Sequence, residues 1–189
     1  MTHHRPARRA RRFLRCQRGS VAIEGILVLP MLAWALLACF SFFDGLRQAN
    51  VNIKAAHTIG DMLSREAAQI DLSYMLGAEG LLNFLVAGSD PVRLRVTVVT
   101  FSSSDDRFQI SWSYATQGAA IITETTLPDL LPHLPLATGG DQLIVVETAV
   151  DYSPLFTMGL GKTTLTNTIV TRPRFAPRLT WSGPPALGV

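Results

Sequence analysis

Cysteine is nearly missing from this chain. Cys16 lies in an arginine-rich start and Cys39 inside an apolar run, so nothing after Phe43 can form a disulfide. A domain built from that remainder must fold without covalent staples, and a disulfide scaffold is excluded. Acid is missing from residues 1–19, and charge of either sign from Ile26 to Phe43. Signatures of common chemistries are missing too. There is no His-Glu-x-x-His for a zinc peptidase and no Gly-x-Ser-x-Gly for a hydrolase nucleophile. His57, His133 and the leader pair His3 and His4 have no metal-ligand spacing. No cofactor or metal is expected.

What is present is an uneven charge distribution. Seven arginines, Arg5, Arg8, Arg9, Arg11, Arg12, Arg15 and Arg18, crowd the first 18 residues. They dominate the formal net charge of +3, because the 17 basic side chains less these seven leave ten against 14 acidic ones. The body of the protein is therefore acidic. A basic arm can bind nucleic acid. Beside an apolar run the positive-inside rule is the better reading: the arginines stay cytoplasmic and the chain beyond the run is exported. Nucleic acid is not expected as a partner, and membrane lipid is.

The run from Ile26 to Phe43 is 18 residues without a charge, close to the minimum for a spanning helix, and Val21–Ile23 extend it. Pro30 lies inside, which a membrane helix tolerates as a kink. Glu24 stands near the start of this segment, where a carboxylate is costly and becomes a functional candidate by default. Three export signals compete. Ala33-Trp34-Ala35 fits a secretory cleavage site, but cutting there leaves an apolar terminus. Arg11-Arg12-Phe13-Leu14 suggests a twin-arginine signal without its usual spacer. A prepilin-type leader, cut on the cytoplasmic side, is the one that explains the position of Glu24.

The stretch QRGSVAIEGILVLPMLAWALLACFSFF carries a resemblance. Arg18 and Gly19 are followed by Glu24 at the fifth position after the glycine, then by Leu27, Val28, Leu29 and Pro30 and an aromatic-rich helix end. This resembles the TadE-like minor pseudopilins of tight-adherence (Flp-type) pilus systems, over about residues 15–62. The family's usual Phe-Ala after the glutamate is Gly25-Ile26 here. The resemblance implies cleavage by a prepilin peptidase after Gly19, a mature chain beginning at Ser20, and pairing of Glu24 with the new amino terminus of a neighbouring subunit. It implies a structural or assembly role, not an enzyme, with other pilins or pilus-assembly proteins as partners. A carboxylate in lipid needs a counter-charge, and cleavage would create an ammonium at that depth. In the competing reading the span stays uncleaved, Glu24 snorkels, and the chain is a single-pass anchored binding or sensory module.

Beyond the span, Leu46, Ala49, Ile53, Ala56, Gly60, Leu63, Ala67 and Ile70 recur at three- and four-residue intervals, predicting an amphipathic helix over 44–70. One helix from Ser20 to Ile70 and two separate helices both fit. Asp71 is placed to cap a helix over Leu72–Val86, whose Leu72, Met75, Leu76, Leu82, Leu85 and Val86 read as core. Strands are expected at Arg93–Phe101, Arg107–Ala115, Gln142–Tyr152 and Thr164–Arg172. In the second, Phe108, Ile110, Trp112 and Tyr114 alternate as one face. A polar hairpin loop at Ser102–Asp106 joins the first two strands, and short helical turns are expected around Pro128, Pro132 and Pro135. Residues 176–189, with Pro177, Pro184 and Pro185, read as a loose tail.

Gly159-Leu160-Gly161-Lys162-Thr163-Thr164 imitates a phosphate loop, but Phe156 occupies the required first glycine and the segment leads into a strand. Asp129 and His133 sit in proline-rich sequence unsuited to a catalytic pair, and Asp105-Asp106 do not make a calcium loop. The expected architecture is α+β. A basic cytoplasmic leader (1–19) precedes a long N-terminal transmembrane helix (20–43) and its helical extension (44–70). A pilin-like exported domain (71–175) with a roughly four-stranded antiparallel sheet follows, then the tail. The expected location is a bacterial inner membrane, single-pass, with the domain periplasmic or extracellular.

Overall fold

A computed structural model of the chain describes residues 20–86, 92–116, 118–156, 159 and 161–183. It shows an α+β protein. Helix α1 (Ser20–Arg65) and helix α2 (Leu72–Val86) are followed by β1 (Val92–Ser102) and β2 (Arg107–Ala115). A four-residue helix α3 (Leu127–Leu130) and a 3-10 turn (Leu131–His133) precede β3 (Gln142–Tyr152) and β4 (Thr163–Thr171). The strands form one antiparallel sheet in the order β2-β1-β3-β4.

One continuous helix is observed, not two. Its 46 residues span about 69 Å at 1.5 Å per residue. Pro30 lies within it without ending it. The regular helix stops at Arg65, short of Ile70, for identifiable local reasons. The Glu66 carboxylate accepts the backbone N–H groups of Ala67 and Ala68, turning the chain, and Arg174 N–H caps the Ser64 carbonyl. Ile70 remains fully buried as part of the connection. The packed face of α1 also differs from the expected stripe. Asn52, Ala55, Ala56, Ile59 and Leu63 are buried, whereas Leu46 and Ile53 are exposed. A buried asparagine decides this rotation. Asn52 Nδ2 donates to the Leu165 carbonyl at 3.0 Å, and Thr148 Oγ1 donates to Asn52 Oδ1 at 2.8 Å. A polar residue can face a core when both ends of its amide are satisfied.

Helix α2 begins where expected, with Asp71 Oδ1 accepting the Tyr74 N–H at 2.8 Å. Met75, Ala78, Leu82 and Val86 are buried, while Leu72 and Leu76, expected in the core, lie on the outer face. Strands β2 and β3 have the expected bounds, and β1 and β4 differ from expectation by one residue at each end. Both helices pack on one face of the sheet against Leu94, Val96, Val98, Ile144, Val146 and Val150. The second face is covered at one end by the segment around α3, through Ile122, Leu127 and Leu130 against Val99, Leu143 and Val145.

Strand β2 serves both faces. Val98 pairs with Trp112 but Val99 pairs with Ile110, so the register shifts and Ser111 is the extra residue. A bulge reverses side-chain parity beyond it. Trp112 and Tyr114 therefore enter the core under the helices, and Phe108 and Ile110 join the opposite one. The expected single face of four aromatic and aliphatic residues is thus split. The tail, too, departs from expectation. Over 176–183 it is docked: Trp181 stacks on Trp112 with centroids 5.4 Å apart and bridges Ile70, Leu179 is buried, and Trp112 Nε1 donates to the Leu179 carbonyl.

Replacing Asn52 by alanine removes both helix–sheet bonds and strands a buried hydroxyl at Thr148. The expected cost is about 1–3 kcal/mol, read as a lower denaturation midpoint of the detergent-solubilised protein. Unchanged stability would show that the Asn52 contacts are not what orients α1.

Candidate functional site

Sequence reasoning places the site at the N-terminal end of α1. Gly19 lies outside the described residues, as do the side chains of Ser20, Val21 and Ala22. Ser20, the first described residue, lies in α1. Glu24 follows about one helical turn later and is exposed, with no hydrogen bond or ion pair among the described residues. A Cβ added at the neighbouring Gly25 would meet nothing within 4 Å, so the surface beside Glu24 is open. Helical geometry puts Glu24, Leu27 and Val28 on one side, with spacings of three and four. Leu27, Val28 and Leu29 are 67%, 49% and 66% exposed.

The exposure extends along the whole first half of α1. From residue 23 to residue 51 Ser41 alone is buried. The apolar window has a mean hydropathy of 2.4 and is 6% buried. A core helix of a water-soluble domain would be mostly covered by its own protein. This one is long and apolar enough to cross a membrane, and its surface is left uncovered by the rest of the described protein.

Where the exposed half of α1 meets the domain, several bonds clamp the two together. Tyr152, at the end of β3, donates its hydroxyl to Asp44 Oδ2 at 3.0 Å and packs its ring beside Gly45. Ser41 Oγ donates to the Phe156 carbonyl at 3.1 Å, and Gln48 Nε2 to the Val86 carbonyl at 3.3 Å. Burial, then the bond to Asp44, pushes the Tyr152 phenol above its ordinary value. Sequence reading singled out none of these residues. The available signals were modest: Asp44 is the first charge after the apolar run, and Ser41 is its hydroxyl.

The uncovered half of the second sheet face is polar. Arg95 holds Glu147 through two bonds of 2.6 Å and donates also to the Ala120 carbonyl. Arg93 pairs with Asp151 at 2.7 Å. A hydrogen bond from Thr164, followed by Arg93, holds the Asp151 carboxyl below its ordinary value. These groups border a shallow cavity of about 300 Å³ that also touches Thr166 and Thr168. Both guanidinium groups are engaged by carboxylates of the same face, so among the described residues no free cation is aimed into it. Asp129, His133 and His57 are exposed, and among the described residues no three potential ligands cluster for a metal. Thr163 begins β4 directly after Lys162, so the glycine-rich segment leads into a strand.

No protein-family model, curated protein or solved structure matches this chain. The chemistry of the site therefore rests on its own residues. A buried, uncharged phenol clamps the charge at the end of the apolar helix, and a carboxylate waits near its beginning.

The clamp has a pH signature. A phenol whose folded pKa is raised contributes stability that is present below the unfolded value and is lost as pH rises through the folded one. The helix–domain junction should loosen above about pH 10, seen as faster proteolysis near Asp44. Tyr152→Phe should flatten that alkaline limb, with proteolysis between about pH 5 and pH 8 raised by the lost bond but still independent of pH.

Proposed function

We propose that this chain is a TadE-like minor pseudopilin, an assembly component of a tight-adherence type IV pilus. The observation that carries the reading is the long helix itself. From Ser20 to Phe43 Glu24 is the only charged residue, and the same helix continues unbroken onto an antiparallel sheet. A subunit that waits in a membrane and then packs its apolar helix against others of its kind needs this division. Among the described residues the domain offers Glu24 no counter-charge, as expected if the partner comes from another molecule. A carboxylate kept from water without one is costly.

In this reading a prepilin peptidase cuts after Gly19, on the cytoplasmic side. The cut removes all seven leader arginines and frees the Ser20 amine. Glu24 then pairs with such an amine on a neighbouring subunit, and the domain lies on the periplasmic or extracellular side. The role is structural; no residue is assigned to catalysis. The alternative of an uncleaved binding or sensory module gains no support from the cavity beside Arg93 and Arg95, whose charges are internally paired.

Mass spectrometry of protein from cells with active peptidase should find a mature chain beginning at Ser20. A chain retaining Met1 and its arginines would falsify the cleavage. Glu24→Ala should leave membrane insertion intact and reduce piliation at least about tenfold, the effect expected when roughly 1.4 kcal/mol of pairing energy is lost. Normal piliation in that variant would remove the pairing role.

A further inference from the structure

The end of the domain nearest the span is not finished by protein. Strand β3 runs toward it and ends at Tyr152, bonded to Asp44. The chain then continues past Asp44 and reaches back onto the apolar run. The Phe156 carbonyl accepts from Ser41, and a Cβ on Gly159 would stand 3.8 Å from the Phe42 ring. This contact explains why Ser41 alone is buried between residues 23 and 51. The covering residues face outward themselves: Leu155 is 79% and Phe156 41% exposed. On the helix itself Phe40, Phe42 and Phe43 are exposed too, and Phe42 lies beside Gly159 of the same loop.

Depth follows from helical rise. The 18 uncharged residues from Ile26 to Phe43 climb about 27 Å, against a hydrocarbon layer of about 30 Å. Ser41 then lies within about one turn of the layer's edge, and whatever bonds to Ser41 lies there too. Apolar and aromatic side chains favour this boundary. The acids at this end of the domain are engaged, Asp44 by Tyr152 and Asp151 by Arg93 and Thr164, while Lys162 is exposed one residue before β4. Among the described residues the acids beside Tyr152 are thus partnered, and one ammonium group suits the phosphates of a bilayer surface.

We propose that residues 153–156 form a foot that rests in the bilayer surface beside the span, with Leu155 and Phe156 entering the headgroup–acyl boundary. The inference rests on the reading of α1 as a membrane span. It assigns the patch to lipid, because the patch is continuous with the lipid-facing surface of the helix. A second contact beside the helix fixes the tilt at which the domain stands on the membrane.

Spin-label accessibility in vesicles of phosphatidylcholine and phosphatidylglycerol tests this with the full chain. Cys16→Ser leaves Cys39 as an internal reference in the span. Cys16→Ser with Cys39→Ser and Leu155→Cys labels the foot, at a position whose exposure leaves packing undisturbed. Asp105→Cys in the same cysteine-free background labels the far hairpin, one strand length from the membrane end. Oxygen reports lipid and a water-soluble nickel chelate reports solvent. The Leu155 label should show an oxygen-to-nickel ratio severalfold above that at Asp105 and approaching that at Cys39. A Leu155 label resembling Asp105, with Cys39 in lipid, overturns the foot alone. Nickel access at Cys39 overturns the span and the foot together. A Leu155 label shielded from both reagents means that protein, such as a second copy, covers the patch, and overturns the assignment to lipid.

Discussion

The bond between Tyr152 and Asp44 sits at the boundary on which this molecule depends. Below it, α1 presents leucine, isoleucine, phenylalanine and tryptophan outward in every direction. Above it, the same helix buries Ala55, Ala56, Ile59 and Leu63 against a sheet. The two halves differ in what covers them, yet no break in the backbone separates them. The helix is anchored to the domain where its covering changes. Ser41, Asp44, Gln48 and Asn52, at spacings of three and four, each reach a partner in the domain. Such a row lies along one side of a helix, so the sheet grips α1 as a splint grips a rod.

The sheet is shaped by the same demand. Its helix-facing side must be continuous to receive both α1 and α2, and the bulge at Val98–Val99 turns Trp112 and Tyr114 to that side. Trp112 then receives the C-terminal segment through Trp181 and the Leu179 carbonyl. Arg174 from that segment returns to cap the end of α1. The helix is thus held at its exit from the apolar half and again at its end. A lever held at both places transmits the position of the domain to the exposed half.

Much of this was legible in the residues. Alternation and β-branched content located four strands, two of them with the observed bounds, and Asp71 marked the start of α2. The charge-free run and the arginines announced the exposed half of α1. Three features were not legible. The α1 stripe was read through Leu46 and Ile53, because periodicity counts apolar residues and cannot anticipate that Asn52 will find Thr148 and the Leu165 carbonyl. The face of β2 was read as uniform, because a bulge is set by pairing with β1. The tail was read as loose, because prolines mark the absence of regular structure and say nothing of docking. At the candidate site, Glu24 was visible from its neighbours in sequence, while the clamp of Tyr152 on Asp44 joins residues more than a hundred positions apart.

The sequence alone determined where the chain is apolar over a membrane's thickness, where its first acid sits, and which segments form helix or strand. These depend on composition and period, which neighbouring residues carry. Only the tertiary structure decided which side of α1 meets the sheet, how β2 divides between two cores, and how the domain closes onto Ser41 and Asp44. Those choices are made by hydrogen bonds and ring contacts between distant segments, whose partners exist only once the sheet has formed.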